Sequence, residues 1–222
     1  MRKQRHWLYA AVPLTAAFFS VLMLAQALWI PLKAELAQWL IERSWQQILN
    51  GDTQSRPWPW ADTRPVAVLS VPAHGIRQLV LEGNSGRNLA FGPVFLDGAL
   101  NDRDMVISGH RDTHFRFLAA VQAGDLIQVT TRHSSQWFEV QEMDVVDSRR
   151  EELVIEPGLS RISLVTCFPF DSLQVGGPLR YVVTALPVGA GHARDFFKGS
   201  QLRDRGHGPL LQHVNSRRPS SG

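Results

Sequence analysis

The sequence contains a single cysteine, Cys167, among its 222 residues. An intrachain disulfide is therefore impossible, and the paired CxxC spacing of zinc sites and dithiol redox centres is missing. These absences argue against a redox or metal protein. A lone cysteine is either an inert buried thiol or a reactive one. The sequence around Cys167 is needed to distinguish an inert thiol from a reactive one.

Signatures of nucleotide and nucleic-acid binding are also missing. The chain has no GxGxxG or P-loop motif and no alternation of strands with helices, so we expect no cofactor. The net charge of +3 comes from the ends, because the first five residues carry +3 and the segment after Pro187 carries +4, which leaves the body at −4. A nucleic-acid groove needs basic residues on the folded surface, so we expect no nucleic-acid partner.

Charged side chains are absent from the whole segment between Trp7 and Leu32, and Arg2, Lys3 and Arg5 precede it. A bilayer core needs roughly 20 apolar residues in a helix. The basic flank keeps residues 1–6 in the cytoplasm and places everything after residue 32 outside. A cleaved signal peptide is the alternative, since residues 25–27 (AQA) resemble a cleavage site. We favour an uncleaved single-pass anchor because apolar residues continue beyond that site.

Residues 33–65 are expected to connect the anchor to a globular body. The first part, 33–50, has the spacing of an amphipathic helix, with an apolar stripe made of Leu36, Leu40, Ile41, Trp45, Ile48 and Leu49. Such a helix would pack on the domain or on the membrane surface. The second part, 54–65, contains three prolines and two tryptophans and indicates an extended linker.

The body, residues 66–187, consists of short apolar runs separated by turn residues, and this pattern is typical of an antiparallel barrel or sandwich. One short helix is predicted over 115–121. The tail 188–222 is rich in Gly, Arg and Ser and is predicted to be largely disordered. The predicted strands are 66–71, 78–81, 105–108, 126–131, 137–146, 162–167 and 181–185.

Three residues could carry chemistry in this body. Cys167 ends a predicted strand just before a proline, a position at the rim of a sheet where a nucleophile can meet a substrate. His110 follows another strand end, and Arg180 opens the last strand, where a guanidinium could hold a developing oxyanion. On spacing alone, a purely structural role is favoured for each of them. His110 and His114 stand at i and i+4, but Arg111 occupies the place of the zinc-protease glutamate, so no metal site is predicted.

Three segments taken together resemble the sortase family. Residues 163–167 (SLVTC) resemble its TLxTC active-site signature, residues 108–113 (SGHRDT) resemble its catalytic-histidine segment, and Arg180 follows the cysteine at the expected distance. Residues 88–93 (NLAFGP), 110–117 (HRDTHFRF), 167–171 (CFPFD) and 176–181 (GGPLRY) further resemble the proteobacterial class GN sortases. The likeness runs from Trp7 to Pro187.

The resemblance implies an eight-stranded sortase β-barrel that lies in the periplasm and is anchored in the inner membrane. It also implies a cysteine transpeptidase, of the hydrolase class, with Cys167 as nucleophile, His110 as acid/base and Arg180 as oxyanion stabiliser. Asp112 could orient His110. The implied partners are a protein with an LPxTG-like C-terminal sorting signal and an amine acceptor of unknown identity. The three groups are expected to converge at one end of the barrel.

Two alternatives stay open at this point. A cysteine peptidase that releases its product to water would use the same Cys167 and His110. A membrane-tethered β-domain that binds a partner without catalysis would have Cys167 buried and unreactive.

Overall fold

The computed structural model describes residues 3–83, 85–96, 104–150, 160–172 and 176–193, with side chains from residue 13 onward. The chain forms two compact units, Met1–Pro187 and Val188–Gly222. Of the second unit, residues 188–193 are described, and 190–193 form a single helical turn. The predicted disorder of the tail concerns mainly residues 194–222, which lie outside the described residues.

The first element is one long helix, α1 (Lys3–Leu49). Anchor and amphipathic helix were predicted as two segments, and the structure joins them without a break. Pro31 lies inside the helix, where it removes one backbone hydrogen bond without ending the helix. From Pro13 the helix is long and apolar enough to cross a membrane. Its large apolar side chains between residues 14 and 32, such as Phe18 and Ile30, are exposed to the surroundings, as expected for a lipid-facing segment.

The C-terminal part of α1 packs against the globular body. Ile41, Trp45 and Ile48 are buried at 1%, 2% and 6% exposure, and they recur at the spacing of one helical face. Leu36 and Leu49 belonged to the predicted stripe, but they are 53% and 45% exposed. The packed face is therefore narrower than the sequence pattern indicated.

Polar contacts fix this helix to the body at two further places. Gln38 donates a hydrogen bond of 2.7 Å from its amide to the backbone oxygen of Phe91. Glu42 pairs with Arg77 at 3.1 Å, and the hydrogen bond from Arg77 is the main reason why the pKa of Glu42 lies below its usual value. The helix thereby holds the body at a defined distance from the apolar segment.

The body is a closed barrel of eight strands in the order β1-β2-β3-β4-β7-β8-β6-β5. This result confirms the predicted fold class. The strands are β1 (Pro65–Val71), β2 (Ile76–Leu81), β3 (Val94–Phe95), β4 (Asp104–Ser108), β5 (Leu126–Thr131), β6 (Ser135–Asp147), β7 (Arg161–Cys167) and β8 (Leu179–Val188).

Seven strands were predicted from apolar runs, and each corresponds to an observed strand. The eighth, β3, has only two residues and follows Gly92-Pro93, so no local pattern distinguishes it from a loop. It is held by its pairing with β2 and β4, which is a tertiary contact. The short helix predicted over 115–121 is a 3-10 helix at Arg116–Ala120.

Two strand pairs decide where the candidate site lies. β4 and β7 run parallel, with Ser108 level with Val165. β7 and β8 run antiparallel, with Cys167 opposite Arg180. The carboxyl ends of β4 and β7 therefore meet at one end of the barrel, where β8 begins.

Side chains alternate between the inside and the outside of this wall. On β7, Ile162 and Leu164 belong to the main core inside the barrel. Val165 faces the other way and packs with Val106 of β4 and Val182 of β8 in a separate apolar cluster on the outside. The wall is therefore apolar on both faces beside the end that carries Cys167.

Candidate active site

The parallel pair brings His110 and Cys167 to the same level. Two residues past Ser108 lies His110, and two residues past its partner Val165 lies Cys167. The pairing continues beyond the end of β4, because the amide of Gly109 donates to the oxygen of Val165 at 3.1 Å. Both residues line one cavity. The imidazole and the thiol, 57 positions apart in the chain, thus face a common space.

Close packing at Gly109 holds these two strand ends together. The hydroxyl of Thr166 is buried and donates to the oxygen of Gly109 at 2.7 Å. A Cβ atom at position 109 would come within 2.6 Å of the Phe115 ring, which is buried in the core. A larger residue would therefore displace the aromatic ring or the strand end. The glycine before His110 is required for this approach.

Arg180 lies directly across the strand pair from Cys167. Opposite residues of an antiparallel pair point to the same face, with Cβ atoms about 5 Å apart. One Nη of Arg180 donates to the backbone oxygens of Gly177 and Leu179 at 2.6 and 2.9 Å. Gly177 and Leu179 are among the described residues that line the cavity, whereas Arg180 is not. The structure thus brings all three predicted residues to one end of one sheet.

The site lies on the outside of the barrel wall. By the alternation along β7, Cys167 shares the outward face with Val165, and Arg180 shares it with Val182. The sequence predicted convergence at one end of the barrel, and the structure adds that the groups face away from the barrel core. The outer apolar cluster lies directly beside them.

The cavity around the thiol has a volume of about 180 Å³ and opens to solvent. Cys167 is half-buried and His110 is exposed. A sulfur in this position can be reached by an extended peptide segment, and it is not sealed in the interior. The other residues lining the cavity are Arg111, Asp112, Phe168, Pro169, Ser172, Gly176, Gly177, Pro178 and Leu179.

Arg111 is the residue of the site that sequence reasoning missed. Its side chain is buried, and its guanidinium donates to the backbone oxygens of Pro169 and Ser172, both at 2.7 Å. Its remaining donors form a fork to the carboxylate of Asp112 at 2.8 and 3.1 Å. Arginine is rarely buried, so composition gave no reason to place it inside. Its position directly after His110 was the only feature of the sequence that could have indicated a role in the site.

These contacts tie the His110 segment to the loop that follows Cys167. The pKa of Arg111 is raised, chiefly by its hydrogen bond to Asp112, while burial opposes the shift. The pKa of Asp112 is lowered, chiefly by the same hydrogen bond. Arg111 is therefore a fixed cation beside the thiol, and we interpret it as a positioning residue.

Asp112 does not orient His110 by a hydrogen bond. Its carboxylate is occupied by Arg111, and among the described residues none forms a hydrogen bond with the His110 ring. The hydrogen bond between Asp112 and the imidazole, which the sequence suggested, is therefore not present in this structure.

His114 lies in surroundings that differ from those of His110. Burial is the main cause that lowers its pKa, and a backbone hydrogen bond with Ala90 opposes that shift. In the part of the chain that the structure describes, no group of three or more His, Cys, Asp or Glu side chains could hold a metal ion. His110 and His114 thus have different surroundings despite their i and i+4 spacing.

Replacing Arg111 by methionine is expected to lower kcat/KM by about 10- to 100-fold, because the loop after Cys167 loses its two anchoring donors. A displacement of about 1 Å in a site of this kind can cost 10²-fold in rate. Arg111→Lys keeps the charge but not the planar fork, so we expect it to restore only part of the activity. Steady-state kinetics on a sorting-signal peptide measures both variants.

Arg132→Met is the matched control, since Arg132 is exposed on the turn between β5 and β6, away from the cavity. All variants are compared at a temperature where near-ultraviolet circular dichroism shows native packing. A merely structural role would lower the melting temperature and leave the alkylation rate of Cys167 by iodoacetamide unchanged. Unchanged alkylation together with unchanged kcat would contradict the positioning role.

Known proteins match the part of the chain that forms this barrel. The family model for the sortase domain matches residues 69–188. Sortase D of Bacillus subtilis (strain 168) is 26% identical over 120 residues, which is 52% of this chain and 60% of that protein. The chain thus spans less than two thirds of the length of this curated relative.

Solved structures show the same fold. Sortase A from Corynebacterium diphtheriae is 26% identical with a TM-score of 0.50, covering 59% of this chain and 63% of that chain. A Clostridium perfringens Sortase D5 transpeptidase is 21% identical with a TM-score of 0.54, covering 70% of this chain and 99% of that chain. The second likeness concerns the fold alone. Because the sortase model covers more than half of the sequence, this chain belongs to the sortase family.

Proposed function

We propose that this protein is a membrane-anchored cysteine transpeptidase with Cys167 as nucleophile, His110 as general acid and base, and Arg180 as oxyanion stabiliser. The observation that carries the proposal is the register of three neighbouring strands. The parallel pair sets His110 level with Cys167, and the antiparallel pair sets Arg180 opposite Cys167. Such a constellation supports acyl transfer through a thiolate.

The proposed reaction has two steps. The Cys167 thiolate attacks the threonine carbonyl carbon of an LPxTG-like signal and forms a C–S bond, while the carbonyl oxygen becomes an oxyanion facing Arg180. The C–N bond to glycine then breaks, and protonated His110 gives its proton to the leaving amine. An acceptor amine next attacks the thioester, gives a proton to His110, and releases the thiolate. The peptide bond is thereby exchanged and no cofactor is consumed.

The surroundings of the thiol support an extended peptide as substrate. The outer cluster of Val106, Val165 and Val182 continues the wall on which Cys167 and Arg180 lie. Phe168 lines the cavity and stacks on Tyr181 at 6.1 Å between ring centroids. Apolar side chains such as the leucine and proline of a sorting signal could pack on these surfaces. The sequence likeness to class GN sortases supports the proposal that this protein belongs to the proteobacterial subgroup of the family.

We further propose the placement of the domains. Residues 1–6 lie in the cytoplasm, 7–32 cross the inner membrane once, 33–65 form the connecting helix and linker, and the catalytic domain 66–187 lies in the periplasm. The exposed apolar helix and the basic residues before it support this orientation. The substrate would then be a periplasmic protein with a C-terminal sorting signal.

Adding an amine nucleophile separates a transpeptidase from a peptidase. The enzyme is incubated with an LPxTG-type peptide and increasing concentrations of triglycine or an alkylamine, and the products are resolved by liquid chromatography and mass spectrometry. We expect a ligated product that increases at the expense of the hydrolysed acid. A peptide that is cleaved only to the acid at every amine concentration would favour the peptidase.

The non-catalytic alternative makes a different prediction for the thiol. It requires Cys167 to be buried, whereas the residue is half-buried and lines an open cavity. The accessible sulfur favours an enzyme.

A further inference from the structure

A second cleft, of about 650 Å³, lies between α1 and the linker that follows it. From α1 it is lined by one helical stripe, residues 33, 36, 37 and 40, at the i, i+3, i+4 and i+7 positions. No residue of this cleft lines the cavity around Cys167. The opposite wall consists of Trp58, Trp60, Asp62, Arg87, Asn88 and Phe91.

The position of this cleft along α1 corresponds to the depth of lipid headgroups. Leu32 is the last residue of the uncharged segment, and the helix rises about 1.5 Å per residue. The polar zone of a bilayer extends roughly 5–8 Å beyond its hydrocarbon core on each side. Lys33, Leu36 and Ala37 therefore lie within about 8 Å of the end of the core, which is inside this zone.

The lining of the cleft contains two cations and one acid. Lys33 and Arg87 are exposed cations and Asp62 is an exposed acid. The Lys33 ammonium lies 4.6 Å from the centroid of the Trp29 ring, which marks the interfacial end of the apolar segment. Among the described residues, none forms a hydrogen bond or ion pair with the side chain of Arg87, whose backbone oxygen accepts from the amide of Ala90 at 3.2 Å. Both cations are available to an anion.

The remaining lining is aromatic or aliphatic. Trp58 packs edge to face on Phe91 with ring centroids 5.2 Å apart, and forms a rigid wall. Trp60 is 82% exposed and Leu36 is 53% exposed. Large side chains exposed together mark a surface that another apolar group covers. Tryptophan is also the residue enriched at the membrane interface.

We propose that this cleft binds one anionic phospholipid. The headgroup phosphate pairs with Lys33 and Arg87, and one acyl chain follows Leu36 and the wall of Trp58 and Trp60 toward the apolar part of α1. Two features favour a lipid over a peptide segment: the two cations that line the cleft, and its position at the level of the lipid headgroups. The proposal goes beyond the proposed function and depends only on α1 being a membrane anchor. Bound lipid would fix the catalytic domain against the membrane surface.

Native mass spectrometry of the full chain in detergent micelles tests this site, with phosphatidylglycerol and phosphatidylcholine of identical acyl chains as probes. We expect one phosphatidylglycerol to bind at least tenfold more tightly than phosphatidylcholine. Each cation near an anionic lipid contributes about fivefold to the affinity, so the double variant Lys33→Gln/Arg87→Gln is expected to bind about thirtyfold more weakly.

Arg43→Gln is the matched control, because Arg43 is an exposed cation on the same helix that does not line the cleft. Equal affinity for the two lipids would overturn the proposal. A double variant that binds within twofold of Arg43→Gln would also overturn it. Cys167→Ala should bind phosphatidylglycerol like the natural chain, so a failure of the lipid site is distinguishable from a failure of the proposed chemistry.

Discussion

Replacing Cys167 by alanine is expected to abolish both cleavage and ligation of an LPxTG-type peptide. The chain contains no second thiol, and Cys167 provides the only sulfur nucleophile. Acyl transfer by way of a thioester cannot begin without it. Turnover of a fluorescence-quenched peptide measures the loss, which should reach the detection limit of the assay.

Cys167→Ser is the matched control for this variant. The hydroxyl fills nearly the same volume, so the fold should be unaffected, but a neutral hydroxyl is a far weaker nucleophile than a thiolate at neutral pH. Both variants should melt close to the natural chain. If Cys167→Ala retains a measurable fraction of turnover, another residue or a bound water performs the attack and the mechanism is wrong.

Replacing Arg180 by alanine is expected to lower kcat by about 10²–10³, because the developing oxyanion loses its positive donor. An interaction made mainly in the transition state changes kcat more than KM, so the KM for the peptide should change little. Arg180→Lys keeps a charge without the planar fork and should recover only part of the rate. Steady-state kinetics of the three enzymes gives the comparison.

Arg132→Ala serves as the control for removing a surface arginine, since Arg132 lies on an exposed turn away from the cavity. Within the described part of the chain, the Arg180 side chain donates to two backbone oxygens, those of Gly177 and Leu179. Their loss should therefore leave the barrel folded. An Arg180→Ala enzyme with kcat within twofold of the control would show that the guanidinium has only a surface role.

Much of the fold could be predicted because seven strands are apolar runs bounded by turn residues. Local pattern is a sufficient signal where a strand is five residues or longer. β3 escaped prediction because its two residues are fixed by pairing with β2 and β4, which no local pattern encodes. The closed barrel with eight strands was implied by the family resemblance, since periodicity alone allowed a sandwich as well.

The three candidate residues were named from the sequence, but their convergence rests on β4 pairing in parallel with β7. That pair joins segments 57 positions apart, and sequence spacing does not reveal it. Arg111 was missed for a related reason. Its partners, the oxygens of Pro169 and Ser172, belong to the other segment, so its burial is a consequence of the tertiary contact.

The continuous helix α1 shows that sequence features which usually mark a helix end do not always end the helix. The change from an uncharged to an amphipathic pattern near Lys33 suggested two elements, with Pro31 close to the boundary. A change of environment along a helix alters which residues suit its surface but does not require the backbone to break. The packed stripe of Ile41, Trp45 and Ile48 begins where the helix meets the barrel.

Intact-protein mass spectrometry of the enzyme quenched in acid during turnover of an LPxTG-type peptide tests the central claim most directly. The account predicts a mass increase equal to the fragment that ends in threonine, located at Cys167 by peptide mapping and removed by hydroxylamine, as a thioester is. Cleavage of the peptide without any adduct at Cys167, or an adduct on a different residue, would contradict the account.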